Sequence, residues 1–133
     1  MVSTSTAHPT SHQYLTAHTP DASPNQHILP LTAKVNDRDC LEVGGCDVTE
    51  LVQQFGSPLY ILDEASVRTA CQQYRDGWQK YYPGESLVIY ASKAWSCLAI
   101  CAIVGSEGLG IDAVSGGEIL TALKAGVSAE NIY

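Results

Sequence analysis

Leu87-Val88-Ile89-Tyr90-Ala91-Ser92-Lys93-Ala94 is the stretch on which the fold of this 133-residue chain turns. It opens with four apolar residues in a row, two of them β-branched, which suits a short strand covered on both faces, as in a parallel sheet. Pro83-Gly84 just before it signals a turn. The strand ends on Lys93. An ammonium buried there needs a partner, or its pKa must fall until the amine is neutral. Neutral amines of this kind condense with carbonyl compounds. The alternative is a lysine that reaches solvent past the strand end, as most lysines do.

Downstream, Ser96 is placed to cap a helix from Cys97 to about Glu107, closing at Gly108. Leu98, Ile100, Cys101, Ile103 and Val104 make it apolar nearly all round, which predicts a well-covered helix. Leu109-Gly110-Ile111-Asp112-Ala113-Val114 reads as a second strand. Ser115-Gly116-Gly117 turns into a helix from about Glu118 to Ala125, stopped by Gly126, and Ile132-Tyr133 begins a third strand. Strands alternating with helices predict a parallel sheet with right-handed crossovers. Such sheets carry their active residues at the carboxyl ends of the strands. Lys93 and Asp112 both fall there, which makes them the candidate site residues. Asp112 has a second reading, as a cap for the turn that follows. Gly116-Gly117 does not form a GxGxxG pattern and fits a tight turn better than a phosphate cradle.

Upstream, residues 1–30 are rich in Ser, Thr, His and Pro with no hydrophobic period, and are expected to be a disordered tail. His8, His12, His18 and His27 are irregularly spaced in it and preorganise no metal site. Residues 31–56 form an N-terminal segment: a strand at Leu41-Glu42-Val43 running into Gly44-Gly45, then a short helix with Leu51, Val52 and Phe55, capped by Asp47 or Thr49 and ended by Gly56. From residue 57 to 133 run the first β/α units of a larger layer. Ser57-Pro58 breaks the chain, Leu59-Tyr60-Ile61-Leu62 reads as a strand, and Asp63 caps a long helix. On that helix Val67, Ala70, Cys71, Tyr74, Trp78 and Tyr81 make one apolar stripe, read as core packing rather than a cofactor box.

The bulk numbers narrow the function. The chain is 45% hydrophobic and 16% charged, with a net charge of −7. An acidic balance argues against nucleic acid, whose phosphates require a basic face. No apolar run is long enough to span a membrane. Five cysteines, none spaced CxxC and most of them far from the histidines, argue against zinc and fit a reducing, cytoplasmic compartment.

Three runs, in order and correctly spaced, resemble one family. Phe55-Gly56-Ser57-Pro58-Leu59-Tyr60-Ile61-Leu62-Asp63-Glu64 is similar to the segment that leads into the barrel of the pyridoxal phosphate (PLP)-dependent decarboxylases with an alanine-racemase-type barrel. Tyr90-Ala91-Ser92-Lys93-Ala94 resembles their lysine motif, and Gly108-Leu109-Gly110-Ile111-Asp112-Ala113-Val114-Ser115-Gly116-Gly117-Glu118 the strand and turn that follow. The similarity covers about residues 38 to 133. The last run, with Leu41-Glu42-Val43-Gly44-Gly45-Cys46-Asp47, most resembles the branch acting on meso-diaminopimelate.

The resemblance implies an α/β fold, the N-terminal units of a partial (β/α)8 TIM-type barrel, since a complete one takes about 250 residues. It implies PLP as cofactor, attached to Lys93, with Asp112 beside it. It also implies an amino-acid substrate losing carbon dioxide, a homodimeric full-length protein, and an N-terminal portion that is inactive alone. The stacking histidine, the phosphate-binding glycine loop, the acidic partner of the pyridine nitrogen and a cysteine from the neighbouring subunit are expected beyond Tyr133. Two other readings stay open: a non-catalytic PLP-binding or interaction protein on the same barrel, and a decarboxylase for ornithine, arginine or carboxynorspermidine. Trp95 departs from the small polar residue usual in relatives, which bears on pocket polarity.

Overall fold

The computed structural model describes residues 25–133. Most of the tail expected over residues 1–30 lies outside them. Its last part is folded: Gln26–Ile28 form a 3-10 turn, and Leu31 N–H donates to Ser66 Oγ at 2.8 Å.

Residues 34–47 form a small antiparallel sheet of β1 (Lys34–Val35), β2 (Leu41–Val43) and β3 (Cys46–Asp47), in the order β1-β2-β3. Gly44 and Gly45 join β2 to β3 with φ of 61° and 80°. Two left-handed residues in succession make the hairpin turn whose twist matches its strands, and glycine takes that backbone without strain. Asp47 caps α1 (Val48–Phe55), its carboxylate accepting from the N–H groups of Thr49 at 2.8 Å and Glu50 at 3.3 Å. Of the two expected caps, Asp47 is the one used.

Leu59–Leu62 forms no strand, contrary to expectation. Its sequence suits a strand, yet no described element offers it a ladder partner, and Tyr60 is 99% exposed. Asp63 then caps α2 (Glu64–Tyr81) as expected. The apolar stripe of α2 is covered only in its first half. Cys71 is buried and Val67 packs on the core, whereas Tyr74, Trp78 and Tyr81 are exposed. Trp78 instead meets Tyr82 edge-on, with ring centroids 5.6 Å apart. The stripe as a whole is therefore not core packing within the described residues.

The C-terminal half is the layered part. It runs β4 (Ile89–Ala91), a 3-10 turn (Ser92–Ala94), α3 (Leu98–Ser106), β5 (Gly110–Asp112), α4 (Gly116–Lys124) and a 3-10 turn (Ala129–Asn131). β4 and β5 are parallel, pairing Ile89 with Gly110, Tyr90 with Ile111 and Ala91 with Asp112. A parallel bridge from Ile111 to Ile132 starts a third strand where one was expected. Several boundaries differ from the sequence reading, β4 and β5 both being shorter than expected. β4 stops at Ala91, so Lys93 sits in the turn after it. Cys97, not Ser96, takes the cap position of α3, without a side-chain bond. Gly116-Gly117 is the first turn of α4, capped by Ser115, rather than a turn before it.

Alternation along the strands sorts their residues. Val88, Tyr90, Ile111 and Ala113 face the helices and join a core made with Cys71, Ile100, Cys101, Val104, Leu109, Ala122 and Val127. Leu87, Ile89 and Gly110 share the opposite face, because a Cβ built on Gly110 would meet Ile89 Cγ2 at 2.9 Å and Leu87 Cδ2 at 3.1 Å. That face is open: Leu87 is 41% and Ile89 45% exposed. β4 was expected to be covered on both sides, and only its helix side is. Among the described residues no helix is long and apolar enough to cross a membrane.

Candidate functional site

Two chemistry-bearing residues lie at the carboxyl edge of the parallel pair. Asp112 ends β5 directly opposite Ala91, the last residue of β4. Two residues on from Gly110, it belongs to the open face rather than to the core. Lys93 follows Ala91 by two residues, in the middle of the 3-10 turn. Parallel pairing therefore brings to one end of the sheet two residues 19 positions apart in sequence.

Lys93 is exposed, and its ammonium makes no ion pair or hydrogen bond among the described residues, Asp112 included. Of the two readings, a buried amine and a lysine that reaches solvent past the strand end, the second is the one seen. The reason is geometric: the strand ends before the lysine, and among the described residues nothing packs on the sheet face beside it. Ser92, next to it, is wholly buried, and its Oγ has no hydrogen-bond partner among the described residues.

The turn after Asp112 is tightly held. Ser115 Oγ accepts from Glu118 N–H at 3.3 Å, and Glu118 Oε2 accepts from Val114 N–H at 2.6 Å. This reciprocal cap was not foreseen, although serine followed three residues later by glutamate is its sequence signature. It occupies the start of α4, and Ala113 N–H is taken by the Tyr133 carbonyl at 2.8 Å. Asp112 thus stands on a backbone whose neighbouring donors are already used.

A lysine and an aspartate at one edge of a parallel sheet offer an amine to which an aldehyde cofactor could be attached, once further structure shields it from solvent. The residues present would hold such a group only at that end. The fold and this edge define a class: β/α-layer proteins with a lysine presented at the carboxyl end of a parallel strand.

Comparison with known proteins narrows the class. Residues 65–133 match the profile "Pyridoxal-dependent decarboxylase, pyridoxal binding domain". The chain belongs to this family of pyridoxal-dependent decarboxylases. Diaminopimelate decarboxylase from Synechocystis is 58% identical over 125 residues, 94% of this chain and 27% of the relative. The enzyme of that name from Bacillus methanolicus is 41% identical over 77% of this chain and 23% of its own length. The crystal structure of the M. jannaschii diaminopimelate decarboxylase in complex with L-lysine superposes with a TM-score of 0.66 at 31% identity, covering 77% of this chain and 24% of that one. The chain thus spans about a quarter of the relatives it matches, and is similar to their N-terminal portion.

Proposed function

We propose that this chain is the N-terminal, lysine-bearing part of a PLP-dependent decarboxylase of meso-diaminopimelate, built on the first units of a (β/α)8 barrel. The observation that carries the reading is the pairing of Ala91 with Asp112, which sets a free lysine and a carboxylate at the same edge of a parallel sheet. The similarity to diaminopimelate decarboxylases supplies the substrate. The open face of Leu87, Ile89 and Asp112 is the side on which the remaining barrel strands would close.

When bound, PLP supplies an electron sink for the pair of electrons left as a carboxylate departs. Lys93 would hold the cofactor through its amine. Asp112, on the adjacent strand end, would help to orient it. Net reaction breaks one carbon–carboxylate bond and puts a proton in its place, giving L-lysine and carbon dioxide. The rest of the barrel and a partner subunit would complete the site, and the protein would work in the cytoplasm as a homodimer.

The test joins this chain to the remaining three-quarters of the Synechocystis enzyme. The chimera is expected to release carbon dioxide from meso-diaminopimelate, and borohydride reduction to leave a pyridoxyl group on Lys93. Lys93→Ala should lower turnover by on the order of 10²–10⁴-fold, the range for a positioned catalytic group. Label on Lys34, Lys80 or Lys124 instead, or undiminished turnover in Lys93→Ala, would reject the proposal.

A further inference from the structure

The turn carrying Lys93 has few anchors of its own. Ser92–Ala94 is a single 3-10 turn with no side-chain cap at its start. Ser92 contributes no hydrogen bond through its hydroxyl. One side chain spans the turn: Tyr90 Oη donates to the Trp95 carbonyl at 3.3 Å. The donor is well seated, because Tyr90 lies on the helix side of β4 against the buried core. Burial also pushes its phenol pKa up, so the hydroxyl remains a donor at neutral pH. The acceptor is backbone, so the bond does not depend on what the indole of Trp95 does.

We infer that Tyr90 is a positioning residue for Lys93, its phenol bridging to the Trp95 carbonyl across the turn that presents the amine. The inference rests on the reading of Lys93 as the cofactor lysine. A contact of 3.3 Å is long for a phenol and weak by itself. Its effect comes from where it lies. It ties the backbone on the far side of Lys93 to a half-buried ring packed against the core, and so limits how far the turn that carries the amine drifts from the Asp112 strand end. The motif had marked Trp95 as unusual for its side chain; the bridge engages its main chain.

The experiment uses the full chain. Tyr90→Phe keeps the ring and removes only the hydroxyl; Tyr60→Phe, at a fully exposed ring, is the control. PLP is added, the mixture is reduced with borohydride, and pyridoxyl on Lys93 is measured relative to Lys34. Loss of one neutral hydrogen bond predicts a Lys93-to-Lys34 ratio lower by roughly three- to ten-fold. Amide exchange over residues 92–96 should quicken by a similar factor while Ile100–Val104 stay unchanged. An unaltered ratio and unaltered exchange, with Lys93 labelled in the parent chain, overturn the bridge. Exchange that rises equally in α3 also overturns it, since that is general destabilisation. No label on Lys93 in the parent chain leaves the cofactor reading to the chimera described above, and the exchange measurement then decides the bridge alone.

Discussion

Asp47 joins two elements through one carboxylate. Besides capping α1 it accepts from Asn36 Nδ2 at 2.8 Å and from Arg38 Nη2 at 2.7 Å. Hydrogen bonds from Thr49 and Asn36 outweigh burial and lower its pKa from 3.8 to about 2. A carboxyl held below its unfolded value adds stability that is whole above the unfolded pKa and is lost as pH falls through the folded one. The expected outcome is that Asp47→Asn is less stable than the parent at pH 6, and that the difference closes between pH 3.8 and about 2. Denaturant titrations at several pH values would show it, and a gap that persists unchanged down to pH 2 would contradict it. Asp47 and Asp63 were legible as caps because capping is a local choice, made by a short acceptor placed just before an amphipathic run. Ser96 failed by the same logic taken one residue early. The exposure of Lys93 was not legible, since it depends on what packs against the sheet.

Among the elements, the β4–β5 pair matters most, because its register sets which residues meet at the site. Gly110 allows that pairing to be close. A Cβ there would meet the Asn131 carbonyl and Ile89 Cγ2, both at 2.9 Å. A side-chain methyl can be displaced, but a backbone carbonyl held in a 3-10 turn has less room to give. Gly110→Ala should therefore destabilise the chain by about 1–3 kcal/mol, as overpacking does, and move Asp112 relative to Ala91. Urea unfolding checks the first part, and a midpoint equal to the parent's would refute it. β2, β4, β5 and helices α1 to α4 were readable in order from the sequence pattern, whereas β1 and β3, two residues each, were not. Leu59–Leu62 was read as a strand because its residues suit one; strand formation also needs a neighbour, which a one-dimensional pattern does not contain.

Across the whole molecule, the helix side of the sheet is closed and the other side is open. Arg68 and Arg75 clamp α2 to the end of α3, with Arg68 Nη1 2.8 Å from Glu107 Oε1 and Arg75 Nη1 donating to the Glu107 carbonyl at 2.9 Å. Among the described residues, nothing comparable covers Leu59, Ile61, Leu87 and Ile89, or the exposed aromatics of α2. Unpaired sheet edges beside apolar faces favour association with other chains. The 133-residue chain alone should therefore self-associate as its concentration rises through the micromolar range, and should release no carbon dioxide from meso-diaminopimelate. Sedimentation velocity and a decarboxylation assay test the two halves. A stable monomer at every concentration, or turnover by the chain alone, would contradict them.

By itself the sequence determined the helix caps, the glycine turns, the alternation of strand and helix, and the two residues worth suspecting, since all of these follow from short-range backbone and side-chain preferences. Tertiary structure alone decided that Ala91 stands opposite Asp112, that the aromatic half of α2 is uncovered, and that Lys93 is open to solvent. These are facts about which surfaces meet, and contact between distant segments is settled by packing in three dimensions rather than by any local pattern.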